Sequence, residues 1–411
     1  MRILKTFERF KPSRTQLLSG ALILSAAMFA YAVPNVFTAG TPISAAQMNA
    51  NFTDVEARIA ALEARLASVS NVTVNGQPTV RFSGVNVQVV NGQGSTTTAN
   101  GTGNLIVGYD EVTTSVANKC SLGTNPNNGT IVIDAVTCTA AGGTWATSHK
   151  SGSHYLVLGT ENNYSRWGAL VAGFQNTSNY NFASVSGGGG NTASGYHASV
   201  SGGTFNSASG YSASVSGGNG NTASGPDAGV SGGGGNTASG DRASVSGGLS
   251  NTVGGTFASV SGGNANNASG SWSSINGGVS NTASGAFASV SGGGGNTASG
   301  DRASVSGGFV NVANGPVASV SGGASNTASG VSASVSGGNS NTASGTAASV
   351  SGGGSNTASG SVASVSGGNG NTASGTSNSV SGGSGCNFGT AVGNKWVVGT
   401  PAGGCSATLG N

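Results

Sequence analysis

The 411-residue chain holds 76 glycines, only 6% charged residues and a formal net charge of +3. Five of its fourteen basic residues (Arg2, Lys5, Arg9, Lys11 and Arg14) precede the first long apolar run, and beyond residue 32 nine basic residues face ten acidic ones. A near-neutral chain of this kind excludes a nucleic-acid or anionic-membrane partner, and glycine that does not recur at every third residue excludes collagen.

Those basic residues lead into an apolar run from Leu17 to Phe29 and then Ala30-Tyr31-Ala32, which together read as a secretory signal over 1–32 with an A-x-A cleavage site. An uncleaved anchor is the alternative, since the apolar stretch can be extended to Val36; the run itself is shorter than the ~20 residues a spanning helix needs. Export follows from both readings, and after cleavage no integral membrane domain is expected. Residues 33–43 form a linker.

Over residues 44–70 the spacing predicts a short coiled coil. Met48, Phe52, Val55, Ile59, Leu62, Leu66 and Val69 alternate four and three apart, a strict a/d seam. Ser44 and Gln47 predict a capping box at the start. With Phe52, Ile59 and Leu66 at a, Arg58 at g meets Glu63 at the following e of a parallel partner. Packing of one amphipathic helix on its own domain is the competing reading, but two apolar residues in seven make a narrower stripe than a globular helix shows. The a and d residues are too mixed to fix the number of strands.

Residues 71–109 predict a β region leading into the rest of the chain, with alternation at Val85, Val87 and Val89, a turn at Asn91-Gly92 and an apolar strand at Leu105-Ile106-Val107. Residues 110–152 interrupt it. Cys120 and Cys138 bracket that insertion, and Cys386 and Cys405 bracket the C-terminal tail. An even count in two local pairs on an exported chain predicts two disulfides, Cys120 with Cys138 and Cys386 with Cys405. Metal binding is the weaker option, because no pair has C-x-x-C spacing.

From 153 to 383 the chain is an array. One sentence of residues, ASVSGGGGNTASGYH in its first full copy at Ala183, returns every fifteen positions, and Val157, Val171 and Val185 ahead of it stand fourteen apart. A fixed period of this size predicts an all-β parallel solenoid of 14–15-residue coils, each burying its apolar face against the next. The apolar slot runs from Val185 to Val380, with Ile275 in one copy. Glycine pairs such as Gly187-Gly188 mark one corner and Gly195 with its counterparts a second, where positive φ or close backbone approach is required. Ala183 and Val185 point inward, Ser184 and Ser186 outward. Asparagine recurs from Asn191 to Asn371, either as a ladder bonding the coils above and below or as a plain turn residue. Only two pairs of positions vary, those of Gly189-Gly190 and Tyr196-His197. The second carries Tyr196, His197, Tyr211, Phe257, Trp272 and Phe287, and is the candidate partner-contact turn. Cys386 falls in the asparagine slot, so the array ends there and 384–411 form a disulfide-closed cap with Trp396.

Chemistry is sparse. No nucleophile–base pair or carboxylate dyad is suggested by spacing, the SGGGGN segments lack the lysine and the strand-loop-helix context of a phosphate loop, and His149 and His154 are expected at the surface. The expectation is a non-enzymatic protein without cofactor or metal.

The coils YLVLGTENNYSRWG and ALVAGFQNTSNYNF and the ASVSGG…NTASG copies resemble the head repeats of trimeric autotransporter adhesins of the YadA type. Leu156-Val157-Leu158-Gly159 and Ser184-Val185-Ser186-Gly187 correspond to that family's SVAIG-like segment, and Ala193-Ser194-Gly195 to its A-x-G corner. The main repeat is fifteen residues instead of fourteen, the coiled coil precedes the head, and the last residues, PAGGCSATLGN, contain none of the strands of a membrane-anchor barrel. The resemblance implies a left-handed parallel β-roll, a homotrimer, a Gram-negative secreted or cell-surface location, and attachment to a host or environmental surface, a matrix protein or a polysaccharide. Two other functions are weighed beside an adhesin head or extracellular fibre. One is ice binding, through a stacked hydroxyl array that includes Thr192, Thr222 and Thr237 and is interrupted at Ser207, Asn267 and Val312. The other is a polysaccharide-acting enzyme, for which the array lacks paired carboxylates.

Overall fold

The computed structural model describes residues 34–111, 119–120, 135–140, 145–146, 149–388, 395–399 and 405–409. The expected signal segment lies outside the described residues. The chain divides into two units, one ending at Gln88 and the other beginning at Val89.

In the first unit the heptad residues lie on a helix, Ala45–Leu66, and Ser44 caps it as expected: its Oγ accepts from the Gln47 amide at 3.2 Å while Gln47 Oε1 accepts from the Ser44 amide at 3.3 Å. The linker is tied to this helix through Asn51, whose Oδ1 accepts from the Asn35 amide and whose Nδ2 donates to the Asn35 carbonyl, both at 2.8 Å. Within the chain Arg58 pairs with Asp54 at 3.7 Å, one helical turn back.

The helix stops at Leu66, short of the expected 70, and Val69 opens the strand β1, Val69–Val74, instead of ending the seam. β1 pairs antiparallel with β2, Gln77–Phe82. Asn75 and Gly76 between them have φ of +48° and +78°, the two positive values a type I′ hairpin turn requires. The alternating β-branched run V-S-N-V-T-V followed by Asn-Gly thus outweighs one more helical turn. The expected strand through Val85, Val87 and Val89 does not form; that segment has no partner strand, and Asn91-Gly92 is a bend and not a hairpin turn.

The second unit is a parallel β-solenoid with three short sides to each coil. On the first side Ser184–Val185 pairs with Ser199–Val200, and the pairing continues coil by coil to Ser379–Val380 and then Trp396–Val397. A second side is a line of single bridges from Phe174 through Gly189 and Thr204 to Ser384. The third is a 16-stranded parallel sheet from Asn163–Tyr164 to Asn387–Phe388. Its first-side ladder begins one coil earlier, where β3, Leu105–Val107, pairs with Leu156–Leu158. The insertion is therefore an expanded turn within the first coil. Between its ends, the described parts are a pairing of Lys119–Cys120 with Trp145–Ala146 and a helix, Ala135–Ala140.

The interior is narrow and filled by small residues: Ala183, Val185, Ala193 and Ala198 are buried, as are their counterparts in later coils. Asparagine completes it. Asn191 Oδ1 accepts from the Asn206 amide at 2.9 Å, and its Nδ2 donates to the carbonyls of Gly187 at 3.1 Å and Gly203 at 2.8 Å. The same three bonds recur up to Asn371. The slot is a ladder, but one that runs between each amide side chain and the backbone of its own and the next coil.

Both ends of the ladder are closed by a different group. Asp110 begins it, accepting from the Asn162 amide at 2.9 Å while its carboxylate pairs with Lys150 at 2.8 Å. Cys386 ends it, its amide donating to Asn371 Oδ1 at 3.0 Å and its sulfur bonded to Cys405. Cys138 is buried and disulfide-bonded, while the Cys120 side chain lies outside the described residues. His149, expected at the surface, is buried, because its amide donates to Asn163 Oδ1 at 2.8 Å and so belongs to the first coil.

The two glycine corners have separate causes. Gly203 has φ of +84°, and a Cβ there would stand 2.2 Å from the Gly218 carbonyl oxygen. Gly210 needs no positive φ, but a Cβ would stand 2.0 Å from the carbonyl oxygen of Gly225. Gly202, first of its pair, meets nothing within 4 Å, and the structure gives no reason for it.

Candidate interaction edge

The second corner presents a pair of variable residues in each coil, and the second of the pair has left-handed backbone throughout. His197, Asp227, Arg242, Phe257, Trp272, Phe287, Arg302 and Val317 have φ between +52° and +61°. Such a conformation disfavours every residue with a Cβ, and bulky or β-branched ones most. It is pinned by a bond between coils: the Trp272 amide donates to the Thr256 carbonyl at 2.8 Å, and the Phe287 amide to Ser271 at 2.9 Å. The left-handed position of the first corner is glycine in some coils, as at Gly190, Gly220 and Gly235, and carries a side chain in others, as at Phe205, Ser250 and Val310. In a chain with 76 glycines, the second corner carries a side chain in every coil from Phe182 to Ser377 at a conformational cost of about 1 kcal/mol or more each.

Those side chains are ordered against one another. Phe257 stacks on Trp272 with centroids 4.1 Å apart, and Trp272 lies nearly parallel to Phe287 at 6.3 Å. Arg242 covers the free face of Phe257 at 4.9 Å, and Arg302 that of Phe287 at 5.3 Å. Asp227 and Asp241 flank Arg242 at 3.8 and 3.4 Å, and Asp301 meets Arg302 at 2.7 Å. A second column lies nearer the N-terminus, where Tyr196 stacks on His197 at 4.1 Å and on Tyr211 at 5.4 Å. The expected contact residues thus fall into two groups, one of Tyr196, His197 and Tyr211, the other of Phe257, Trp272 and Phe287.

Trp272 and Phe287 remain about half exposed, at 52% and 51%. Each is flanked by a neighbouring ring, and Phe287 also by a guanidinium group. The column offers an apolar edge of fixed spacing, bracketed by charges of both signs.

Two further surfaces accompany this edge. The outward threonines of the third side stand in register, Thr282 beside Thr297 and Thr327 beside Thr342, with Asn267 and Val312 breaking the row. In the first unit, Met48, Phe52, Val55, Ile59, Leu62 and Leu66 are all exposed, and the helix buries no residue. Among the described residues no group of three metal-ligating side chains is brought together, and no helix is long and apolar enough to cross a membrane.

Sequence reasoning placed the aromatics and Arg242 and Arg302 in one variable turn but not the capping of ring by guanidinium, because partners fifteen residues apart in the chain are adjacent only once the coils stack. It also missed the left-handed backbone. The available signal was a variable slot that never admits glycine. No protein-family model matches the chain, and no curated protein matches it.

Proposed function

We propose that this chain is an exported, non-enzymatic, parallel homotrimer whose left-handed solenoid of 14–15-residue coils serves as an adhesin head or extracellular structural fibre. The observation that carries the reading is the second corner: a position that disfavours side chains nevertheless bears one in every coil, and the largest are held in ordered, half-exposed columns. Strained backbone that displays side chains is a mark of a contact surface. Repetition along one edge, multiplied by three chains, turns weak contacts into avidity. The heptad seam supports self-association, since among the described residues of their unit its exposed a and d residues have no partner.

Replacing Trp272 and Phe287 together with serine should leave the circular dichroism and molecular mass unchanged and reduce attachment of purified protein to surfaces at least several-fold. Unchanged attachment by a folded double variant would make the protein a passive rod. The in-register threonines favour a second reading, ice binding. It predicts thermal hysteresis that is lost on replacing Thr342 with tyrosine, and it fails if the wild-type protein leaves ice-crystal shape unaltered.

A further inference from the structure

Among the described residues, the hairpin β1–β2 has no support within its own unit. An isolated two-stranded hairpin is marginal in water, and a helix in a protein draws most of its stability from packing of its apolar face. Yet the helix buries nothing, and among the described residues no third strand joins the hairpin.

The register sorts its side chains into two faces, because residues directly opposite in an antiparallel pair point the same way. Val69 with Phe82, Asn71 with Val80, and Thr73 with Pro78 share one face; Ser70 with Arg81, Val72 with Thr79, and Val74 with Gln77 share the other. The first face is the more apolar, and Val80 and Phe82 on it are 57% and 53% exposed. Val69 lies three residues after Leu66, where the heptad spacing asks for the next seam residue, and it is also the first residue of this face. The apolar stripe therefore continues in sequence from the helix onto one side of the hairpin, where Val69 is half-buried and Val80 and Phe82 are exposed.

We infer that a second copy of this chain covers the hairpin face formed by Val69, Val80 and Phe82, so that the hairpins of the assembled chains close into a collar continuing the coiled coil. This rests on the proposed homotrimer. A strict 3.5-residue seam selects another helix of the same phase as its partner. Cyclic symmetry about that seam then sets identical hairpins at identical height, each meeting the same face or edge of its neighbour. The contact is apolar, and Arg81 stays on the opposite face.

The test is hydrogen exchange on the whole exported chain, read beside its mass by sedimentation at micromolar concentration. In a trimer, the amides of Val69–Phe82 should exchange at least about tenfold more slowly than unstructured chain. Val80→Ser with Phe82→Ser should abolish that protection while helix protection and trimer mass persist. Arg81→Ser, on the other face, should leave it in place. A wild-type trimer whose hairpin amides exchange freely, or whose protection survives the double replacement, overturns the collar alone. A wild-type monomer overturns the trimer and the collar with it.

Discussion

A coil of the array and the helix of the first unit make opposite use of apolar residues. The coil has only alanine and valine to bury, and it buries them fully, because the coils before and after it supply the other walls. The helix has methionine, phenylalanine, isoleucine and leucine on one stripe, and it buries none of them. Side-chain hydrophobicity therefore does not tell where a chain is self-sufficient. What decides is whether the complementary surface lies in the same chain. The array contains its own partner at every step, whereas the seam and the hairpin face find none among the described residues of their unit.

Perturbing each region separately should sharpen that contrast. The largest effect is expected from Ile275→Asp, which places an unpaired charge in a slot with 1% exposure. A loss of about 4 kcal/mol or more should split the array into two shorter stacks, seen as a biphasic denaturation curve. Leu62→Asp should do the reverse, abolishing association in sedimentation while leaving the β-sheet circular dichroism of the array intact. Asn281→Ala strands the Asn296 amide and the Gly277 carbonyl, bonded to it at 2.9 and 3.0 Å, and takes one of two donors from the Gly293 carbonyl, which keeps the Val279 amide at 2.9 Å. A cost of about 2–4 kcal/mol is expected in chemical denaturation. Asn264→Ala, on an exposed corner, should change stability by about 0.5 kcal/mol or less.

A pH-dependent effect separates the first coils from those that follow. Tyr155 is buried against Tyr164, its hydroxyl donating to the Ser165 carbonyl at 2.9 Å, and burial pushes its pKa from 10.0 up to about 12. The neutral phenol is the form the fold prefers, so its contribution is complete below pH 10 and is lost as pH rises through about 12. Hydrogen exchange should show residues 153–178 loosening in that window ahead of the array, whose buried side chains from Ala183 to Ala373 include no titratable group. Tyr155→Phe should reduce this pH dependence, leaving the part due to Tyr164, whose pKa burial also raises, at a cost of about 1 kcal/mol for the lost hydrogen bond.

The array was legible because each slot is written many times over. Repetition exposes the invariant valine, the two glycine corners and the buried asparagine, whatever any single copy says. Where the chain speaks once, two physical readings compete. Val69 fits the heptad and also fits an alternating strand, and only the Asn75-Gly76 turn settles which one wins. Val85, Val87 and Val89 alternate correctly yet find no partner strand, since alternation prepares a strand without supplying its neighbour. Asp110 was hidden as the first rung of the asparagine ladder because the insertion separates it from Asn162 by 52 residues. The ring columns depended on stacking, which brings Arg242 to Phe257 and Phe287 to Arg302 across whole coils.

The asparagine ladder has a consequence for inheritance. Each rung bonds its own coil and the next, by the same atoms, so removing or adding whole coils leaves every remaining bond in register. The segment from Val230 to Gly248 is identical to that from Val290 to Gly308. A recombination slip between the corresponding stretches of the gene would excise or duplicate four coils and still encode a closed solenoid, with Asp110 and Cys386 at its ends. The length of this array is thus a trait that can vary between lineages in single steps, without passing through a misfolded intermediate.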